Sequence, residues 1–252
     1  MNLKKIAFTV ISLPIATQTL WAYNWQKERK IEKIKIIEQR KSKLVQPLTD
    51  IKLEELSVDV IKQPDFEDKW LYRPVRIRGI LDNEKETFIQ RPKSGEKGVE
   101  VVTPLYTSVS DQGELQGIMI DRGWIQEQNK DLKIHWNKRD NQEQAIEGIL
   151  VYGEGKSETG MQDDLVNKIR IDLEELIKLT EFQNKEQATK IMIKEVNFAQ
   201  NSTEQGTSIK RQTPADLCYW YVTPERHQAY SSFWLYVTGL NLAANAFIWF
   251  YL

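Results

Sequence analysis

The sequence has few of the residues on which many enzyme classes depend. Its 252 residues include one cysteine, Cys218, and two histidines, His135 and His227. A single thiol excludes an internal disulfide and a paired-cysteine motif, and two imidazoles are too few for most histidine-based catalytic metal centres. Lys and Arg number 35 against 36 Asp and Glu, so the basic excess of a nucleic-acid-binding protein is missing. We therefore expect no metal site and no nucleic-acid partner.

Known catalytic motifs are missing from the sequence as well. Gly155-Lys156-Ser157 matches the second half of a phosphate-binding loop, but the position where that pattern requires its first glycine is Leu150. The sequence has no nucleophile elbow and no His-Glu-x-x-His pair. We therefore predict that the protein is not an enzyme, and we assign no catalytic residues.

Charge is absent from two long segments. Ile6–Tyr23 and Ala229–Leu252 contain no charged side chain, whereas 28% of the whole sequence is charged. Because roughly 20 mainly apolar residues cross a bilayer, we predict transmembrane helices over 6–23 and 229–252. No small-x-small cleavage site follows the first segment, so we expect an uncleaved anchor rather than a cleaved signal peptide.

The chain between the two segments changes character near Pro47. Residues 24–46 are charged, with isoleucines at helical spacing, which predicts a helical stalk. Residues 47–228 contain short β-branched runs bounded by glycine and proline, which are typical of antiparallel strands. The sequence thus predicts an α+β membrane protein in which two transmembrane helices flank an antiparallel β-rich domain with one or two helices. One helix is marked by Asp172 as N-cap and Glu175 three residues later. The predicted strands are Val75–Gly79, Val99–Val102, Gly117–Asp121, Ala145–Tyr152, Lys190–Val196 and Leu217–Val222.

Alternation along these strands predicts which side chains form the core. Apolar and charged residues alternate in Val75–Gly79, so Arg76 and Arg78 should share the outer face. The side chains that we expect to be buried are Val75, Ile77, Val101, Ile118, Ile120 and Trp124.

A polar stripe runs along the second predicted membrane helix. Thr238, Asn241 and Asn245 share one helical face, and amide side chains are costly in hydrocarbon, so the stripe should contact protein. Two interpretations remain open. The stripe packs on the first membrane helix of the same chain, or it docks on a larger membrane complex.

Several short motifs occur in the order found in one known family. The chain resembles the surfeit locus protein 1 family in a Trp-Gln-x-x-Arg signature after the first membrane helix, in Tyr-Arg-Pro-Val-x-Val-x-Gly, Val-Val-Thr-Pro and Arg-Gly-Trp strands, and in His-x-x-Tyr-x-x-x-Trp at the second helix. The residues that carry this resemblance are Trp25, Gln26 and Arg29; Arg73, Pro74 and Gly79; Thr103 and Pro104; Arg122 and Gly123; and His227, Tyr230 and Trp234.

The resemblance implies a function in cytochrome c oxidase biogenesis. Members of that family are assembly factors of this enzyme, complex IV of the respiratory chain, and they are thought to help deliver heme a to its core subunit. The implied partners are oxidase subunits or assembly intermediates. The implied location is the mitochondrial inner membrane with the β-rich domain in the intermembrane space, or alternatively the bacterial cytoplasmic membrane. A second interpretation is a permanent accessory subunit of the assembled oxidase or of a respiratory supercomplex.

His227 has two interpretations at this stage. A histidine at a membrane edge is usually an interfacial side chain with a partly wet ring. The resemblance instead implies that His227 handles heme a transiently, flanked by Tyr230 and Trp234. Glu225 stands where the family has asparagine, and this difference would remove a contact that orients the ring.

The distribution of charge disagrees with the implied topology. Residues 27–43 carry eight Lys or Arg and three Glu, whereas Lys4 and Lys5 alone flank the other side of the first segment. The positive-inside rule would therefore place the domain in the matrix or cytoplasm. Because that rule is a bias, we follow the topology that the resemblance implies.

Overall fold

The computed structural model describes residues 3–93, 95–109, 115–128, 142–154, 170–198, 209–219 and 222–251. These residues divide into two compact units. One unit joins residues 1–41 to residues 218–252, and the other comprises Ser42–Leu217.

The first unit is an antiparallel pair of long helices. Helix α1 spans Leu3–Leu44 without a break, so the predicted membrane segment and the predicted stalk form one helix. The last helix, named α7 in chain order, spans Pro224–Tyr251 and begins five residues before the predicted span. Both helices are long and apolar enough to cross a membrane, and each contains a stretch with a mean hydropathy of 1.3. These helices and the β-rich second unit give the predicted α+β membrane architecture.

The second unit contains a mixed seven-stranded sheet. Its strands are β1 (Thr49–Asp50), β2 (Pro74–Leu81), β3 (Thr87–Gln90), β4 (Gly98–Val109), β5 (Leu115–Gln126), β6 (Gln144–Tyr152) and β7 (Ile191–Glu195). The strand order is β1-β2-β6-β7-β5-β4-β3. An additional pairing of Ile80 and Leu81 with Tyr106 and Leu105 joins β2 to β4. That pairing closes five of the strands into a small barrel.

Two strand pairs correct the antiparallel prediction. Strand β7 is antiparallel to β6 but parallel to β5, and β1 is parallel to β2. A parallel neighbour requires a long crossover. The chain from the end of β5 to the start of β7 provides it for β5 and β7. This crossover includes β6, and its described part also includes α4 (Leu173–Leu176) and α5 (Lys185–Ala188). The other short helices are α2 (Val58–Ile61), α3 (Phe66–Trp70) and α6 (Pro214–Leu217).

The predicted strand at Leu217–Val222 is wrong. Leu217 is instead the last residue of α6. Thr213 and Asp216 form reciprocal hydrogen bonds at the start of this helix, since the Asp216 carboxylate accepts from the Thr213 amide and the Thr213 hydroxyl accepts from the Asp216 amide. Such a capping box, followed by Pro214 in the first turn, favours a helix over a strand. Trp220 and Tyr221 lie outside the described residues.

The predicted helix start and the predicted core are confirmed. The Asp172 carboxylate caps α4 by accepting hydrogen bonds from the backbone amides of Glu174 and Glu175. All six side chains expected to be buried are at most 3% exposed, while Arg76 and Arg78 share the outer face of β2. The core is divided, however, because strand β5 is buried on both faces. The largest cluster draws on β2, β4, β5, β6 and β7 and fills the barrel, a second cluster packs under α4, and Val101 belongs to a third with Val99, Ile125 and Ile209.

Candidate functional site

The seam between α1 and α7 is polar along most of its length. On α7 the buried residues include His227, Ser231, Thr238 and Asn245, which are separated by four, seven and seven residues, as along a heptad seam. On α1, Ser12, Ala16 and Thr19 are each at most 6% exposed. Large apolar side chains such as Ile11 and Leu240 are exposed on the outer faces. The helix pair therefore presents apolar side chains outward and hydrogen-bonding side chains inward.

Thr238 and Asn245 of the polar stripe bond to α1 of the same chain. The hydroxyls of Thr238 and Thr19 lie 2.7 Å apart. The Asn245 amide accepts from the Thr9 hydroxyl at 3.0 Å and donates to the Ser12 hydroxyl. Asn241 is different, because its carbonyl oxygen is buried without a hydrogen-bond partner among the described residues. The structure thus places two of the three stripe residues against the first membrane helix, and docking of this face on a larger complex remains a prediction.

His227 lies near the start of α7, beside the point on α1 where the uncharged segment gives way to charged residues. The residue is 8% exposed, and its ring nitrogen Nδ1 lies 2.7 Å from the side-chain oxygen Oε1 of Gln26. These two residues belong to the first and the last of the sequence motifs and are 201 positions apart. A neutral imidazole whose Nδ1–H donates to this oxygen keeps a lone pair on Nε2.

The aromatic residues of the two terminal motifs are partly exposed. Tyr230 is 48% exposed, and the Trp234 ring packs edge-to-face on Phe233 with centroids 5.1 Å apart. On α1, the ring of Trp25 stacks on Trp21 at 6.4 Å, and the guanidinium of Arg29 lies 5.6 Å from the Trp25 centroid. Arg29 also pairs with Glu32 at 2.6 Å. Unlike the buried His227, Tyr230 therefore presents about half of its surface outward.

Motif residues in the barrel converge on a buried carboxylate. The Thr103 hydroxyl donates to Glu86 at 3.2 Å, and the Arg122 guanidinium lies 3.4 Å from the same Glu86 oxygen. Thr103 and Arg122 are at most 7% exposed. Thr103 of β4 and Arg122 of β5, which belong to two different motifs, are therefore joined through Glu86 by one hydrogen bond and one ion pair, and this indicates that they stabilise the barrel.

The motif glycines allow close approach of backbones. A Cβ on Gly79 would lie 2.4 Å from the carbonyl oxygen of Tyr106, at the place where β2 meets β4 and the barrel closes. Gly123 has φ +121°, and a Cβ there would lie 2.7 Å from the carbonyl oxygen of Lys210. Only glycine fits these two positions without a shift of backbone.

The two motif prolines occupy strands, and the motif arginine precedes the first of them. Pro74 begins β2, the position at which a strand tolerates a residue without an amide hydrogen. Pro104 lies opposite Met119 in the ladder between β4 and β5, and its carbonyl accepts from the Asp82 amide at 2.9 Å. Arg73 donates to the carbonyl of Asp68 at 3.3 Å. The Arg73 contact therefore connects the Tyr-Arg-Pro motif at the start of β2 to α3, which contains Asp68.

A buried network of charged side chains lies beside Arg122 and Gly123 of β5. Lys194 on β7 is 2.8 Å from Asp121 and 3.9 Å from Glu100, and Glu100 also pairs with Arg91 at 3.0 Å. Burial by itself would raise the pKa of Glu100, but Lys194, Arg91 and Lys93 outweigh it and hold that pKa below its usual value. Burial likewise opposes the charge on Lys194, yet Asp121 and Glu100 raise its pKa. The network therefore keeps Glu100 and Lys194 ionised.

Most of the chain matches one known protein family. The sequence model of the SURF1 family matches residues 18–239, which is most of the chain. The chain belongs to the SURF1 family. It is also similar to surfeit locus protein 1 of Xenopus tropicalis, with 26% identity over 137 residues. That alignment covers 48% of this chain and 39% of the Xenopus protein, so the chain spans about two fifths of the length of the curated relative that it matches.

The SURF1 match includes both sides of the helix-pair contact. It begins at residue 18 within α1 and ends at residue 239 within α7, so Gln26 and His227 both fall inside it. The earlier resemblance rested on short motifs scattered along the sequence. The structure brings the first and last of them into contact through one hydrogen bond.

Two features of this SURF1-family chain were missed by reasoning from sequence. The pairing of Gln26 with His227 carries no local signal, because each side chain meets its partner 201 positions away. The sequence predicts a strand around Lys194 but does not predict its contact with Asp121, because the parallel register of β5 and β7 decides that contact. The available signal was the presence of Glu100 and Asp121 in runs of otherwise apolar residues.

Proposed function

We propose that this protein is a membrane-anchored assembly factor of cytochrome c oxidase and acts by binding rather than by catalysis. The proposal is supported by membership of the SURF1 family and by two helices able to cross a membrane. The observation that carries it is the contact of Gln26 with His227, which unites the two terminal motifs of the family at one end of the helix pair. The proposed partners are subunits or intermediates of the oxidase.

The finer part of the proposal is that His227 contacts heme a during transfer to the oxidase. Heme iron is commonly held by a histidine nitrogen, with the polarity of the pocket set by neighbouring side chains. The donor set fits, because Nδ1 of His227 has a side-chain acceptor and Nε2 forms no hydrogen bond or ion pair within the described part of the chain. Tyr230 and Trp234, three and seven residues further along α7, supply aromatic surface on the same side of the helix.

The proposed location is the mitochondrial inner membrane or the bacterial cytoplasmic membrane, with the barrel in the intermembrane space or its bacterial equivalent. The antiparallel arrangement of the two helices supports a proposed topology in which both helices span the membrane and the segment that connects them lies on one side. This topology puts the basic residues of α1 beyond residue 26 on the barrel side, against the positive-inside bias. Protease protection of the barrel in sealed vesicles measures the orientation directly.

Co-purification distinguishes a helper from a permanent subunit. Tagged protein should recover oxidase intermediates in small, variable amounts and should be absent from mature oxidase. Constant one-to-one recovery with the mature enzyme would instead support the accessory-subunit interpretation.

The heme proposal has its own spectroscopic test. Purified protein should carry a heme a absorbance band that is lost in His227→Ala and retained in Ser231→Ala, a matched truncation one turn along the same buried seam. Heme binding that survives His227→Ala would exclude His227 as the ligand. Equal loss in both variants would show that the band depends on the helix pair and not on the imidazole.

A further inference from the structure

We propose that Gln26 is a positioning residue for His227, whose amide oxygen holds Nδ1 in the protonated form and leaves Nε2 as the nitrogen that can bind iron. The inference deepens the heme-binding part of the proposed function and rests on it. It concerns this chain's own residues, so it can be tested without heme.

The chemistry of the contact defines the tautomer. A neutral imidazole has one N–H donor and one lone-pair acceptor, and an amide oxygen can only accept. At 2.7 Å from Gln26 Oε1, Nδ1 must therefore carry the proton. The lone pair is then on Nε2, which forms no hydrogen bond within the described ranges. Histidine ligands of metals commonly use this arrangement, in which one ring nitrogen donates to an oxygen acceptor while the other binds the metal.

An uncharged acceptor suits this task. A carboxylate facing Nδ1 would also stabilise the doubly protonated, cationic ring, which has no lone pair to offer. The amide oxygen of Gln26 orients the ring without adding a negative charge. The neutral tautomer therefore remains available at the end of the helix pair.

The position of Gln26 is fixed by contacts on both sides of it. Seven residues earlier on α1, the Thr19 hydroxyl meets the Thr238 hydroxyl at 2.7 Å. Four residues later, Lys30 donates to the side-chain oxygen of Gln228 at 2.9 Å. Sliding of one helix along the other would break both contacts. The hydrogen bonds before and after Gln26 therefore fix the register that brings Gln26 to His227.

The contact with Gln26 gives the His227 ring an orienting partner even though Glu225 stands where the family has asparagine. The sequence comparison suggested that loss of asparagine two residues before His227 would leave the ring without an orienting partner. Glu225 is exposed, and the orienting group is instead on the other helix. Ring orientation in this chain is therefore a property of the helix pair.

The test is ¹⁵N NMR of the full-length protein in nanodiscs, labelled at histidine, at alkaline pH where the ring is neutral. The shifts of the two ring nitrogens distinguish the protonated from the unprotonated atom, and His227→Ala separates the His227 signals from those of His135. We expect protonated Nδ1 in the native protein and in Gln26→Glu, which retains an acceptor oxygen. We expect Gln26→Leu to populate the Nε2–H form. Gln18→Leu removes an exposed glutamine from the same helix and should leave the spectrum unchanged.

Titration with heme a supplies the second measurement. Loss of a group that orients a metal ligand typically costs roughly 10–100-fold in affinity. We expect that loss in Gln26→Leu. At the same alkaline pH, where the ring is neutral even beside a carboxylate, we expect a change of a few-fold at most in Gln26→Glu. If the native ring is Nε2-protonated, or if Gln26→Leu keeps Nδ1 protonated, the positioning role is wrong whether or not heme binds. If the tautomers follow the expectation but the native protein takes up no heme a, the heme-binding function fails while the role of Gln26 in setting the tautomer stands.

Discussion

Removal of Lys194 should destabilise the barrel, because it leaves a buried carboxylate without its nearest cation. Lys194→Met deletes the cation that lies 2.8 Å from Asp121, a side chain that is 1% exposed. Asp121 would then keep one hydrogen bond, from the backbone amide of Gly123 at 3.1 Å. Glu100 retains Arg91 and Lys93 but loses Lys194, the largest of the contributions that hold its pKa low, so both buried carboxylates contribute to the cost.

The size of the effect follows from the burial of the remaining carboxylate. Breaking a buried ion pair by removal of one partner typically costs about 3–5 kcal/mol. For a protein of this size, each kcal/mol lowers the melting temperature by about 2–4 °C, so we expect a decrease of roughly 6–20 °C. Thermal unfolding followed by tryptophan fluorescence measures it, since Trp124 lies on the same strand as Asp121.

Two controls separate the charge effect from general damage. Lys190→Met alters an exposed lysine just before β7, the strand that contains Lys194, and should change the free energy of unfolding by less than about 0.5 kcal/mol. Lys194→Met combined with Asp121→Leu removes both charges of the pair and should recover much of the loss, because the uncompensated carboxylate is gone. A double variant whose loss of stability equals the sum of the losses in the two single variants would refute the reasoning. A Lys194→Met variant with the same melting temperature as Lys190→Met would refute it as well.

Three further predictions concern the barrel closure, the helix seam and pH. Gly79→Val should destabilise the barrel by about 1–3 kcal/mol or more in urea titrations, because its side chain meets the Tyr106 carbonyl; an unchanged midpoint would contradict this. Asn245→Leu removes two interhelical hydrogen bonds worth about 0.6 kcal/mol each, so less SDS should be needed to separate the helices. Ala244→Leu, at an exposed neighbouring position, is the control, and equal SDS midpoints for the two variants would contradict a stabilising role for these hydrogen bonds. Glu100 has a lowered folded pKa, so its stabilisation is present above its unfolded pKa of about 4.3 and is lost as pH falls through the folded value. The stability advantage over Glu100→Gln, from melting curves between neutral and acidic pH, should therefore shrink below about pH 4 rather than grow.

Local patterns predicted the elements of this fold better than their arrangement. The alternation in Val75–Gly79 identified β2 and its outer face, and Asp172 identified the start of α4. Closure of the barrel depends on Ile80 and Leu81 meeting Tyr106 and Leu105, and no periodicity within either segment specifies that pairing. At Leu217, β-branched and aromatic neighbours favoured a strand, but the Thr213–Asp216 cap outweighed that preference.

The candidate site shows the same division. Sequence motifs identified Gln26 and His227 separately, and the amphipathic stripe identified Thr238 and Asn245. Their partners are on another helix more than 200 positions away, and only the register of the helix pair joins them. The buried ion pair of Lys194 and Asp121 was missed for a related reason, since it depends on two parallel strands being neighbours.

The order in which the ribosome makes α1 and α7 explains why hydroxyl groups are on α1 and the Asn245 amide is on α7. At about 5–20 residues per second, the stretch of roughly 200 residues between Gln26 and His227 takes on the order of 10–40 s to synthesise, and during that time α1 has no partner. Its hydroxyls need none, because Thr9, Ser12 and Thr19 also bond to carbonyls of their own helix. The Asn245 amide, which bonds to α1, lies on the helix that emerges last. The double variant Ser12→Asn, Asn245→Ser exchanges these groups and keeps the same kinds of polar side chain in the seam. It leaves the nascent α1 with an unsatisfied amide in the bilayer, so we expect the yield of inserted protein to fall more than the stability of the finished helix pair.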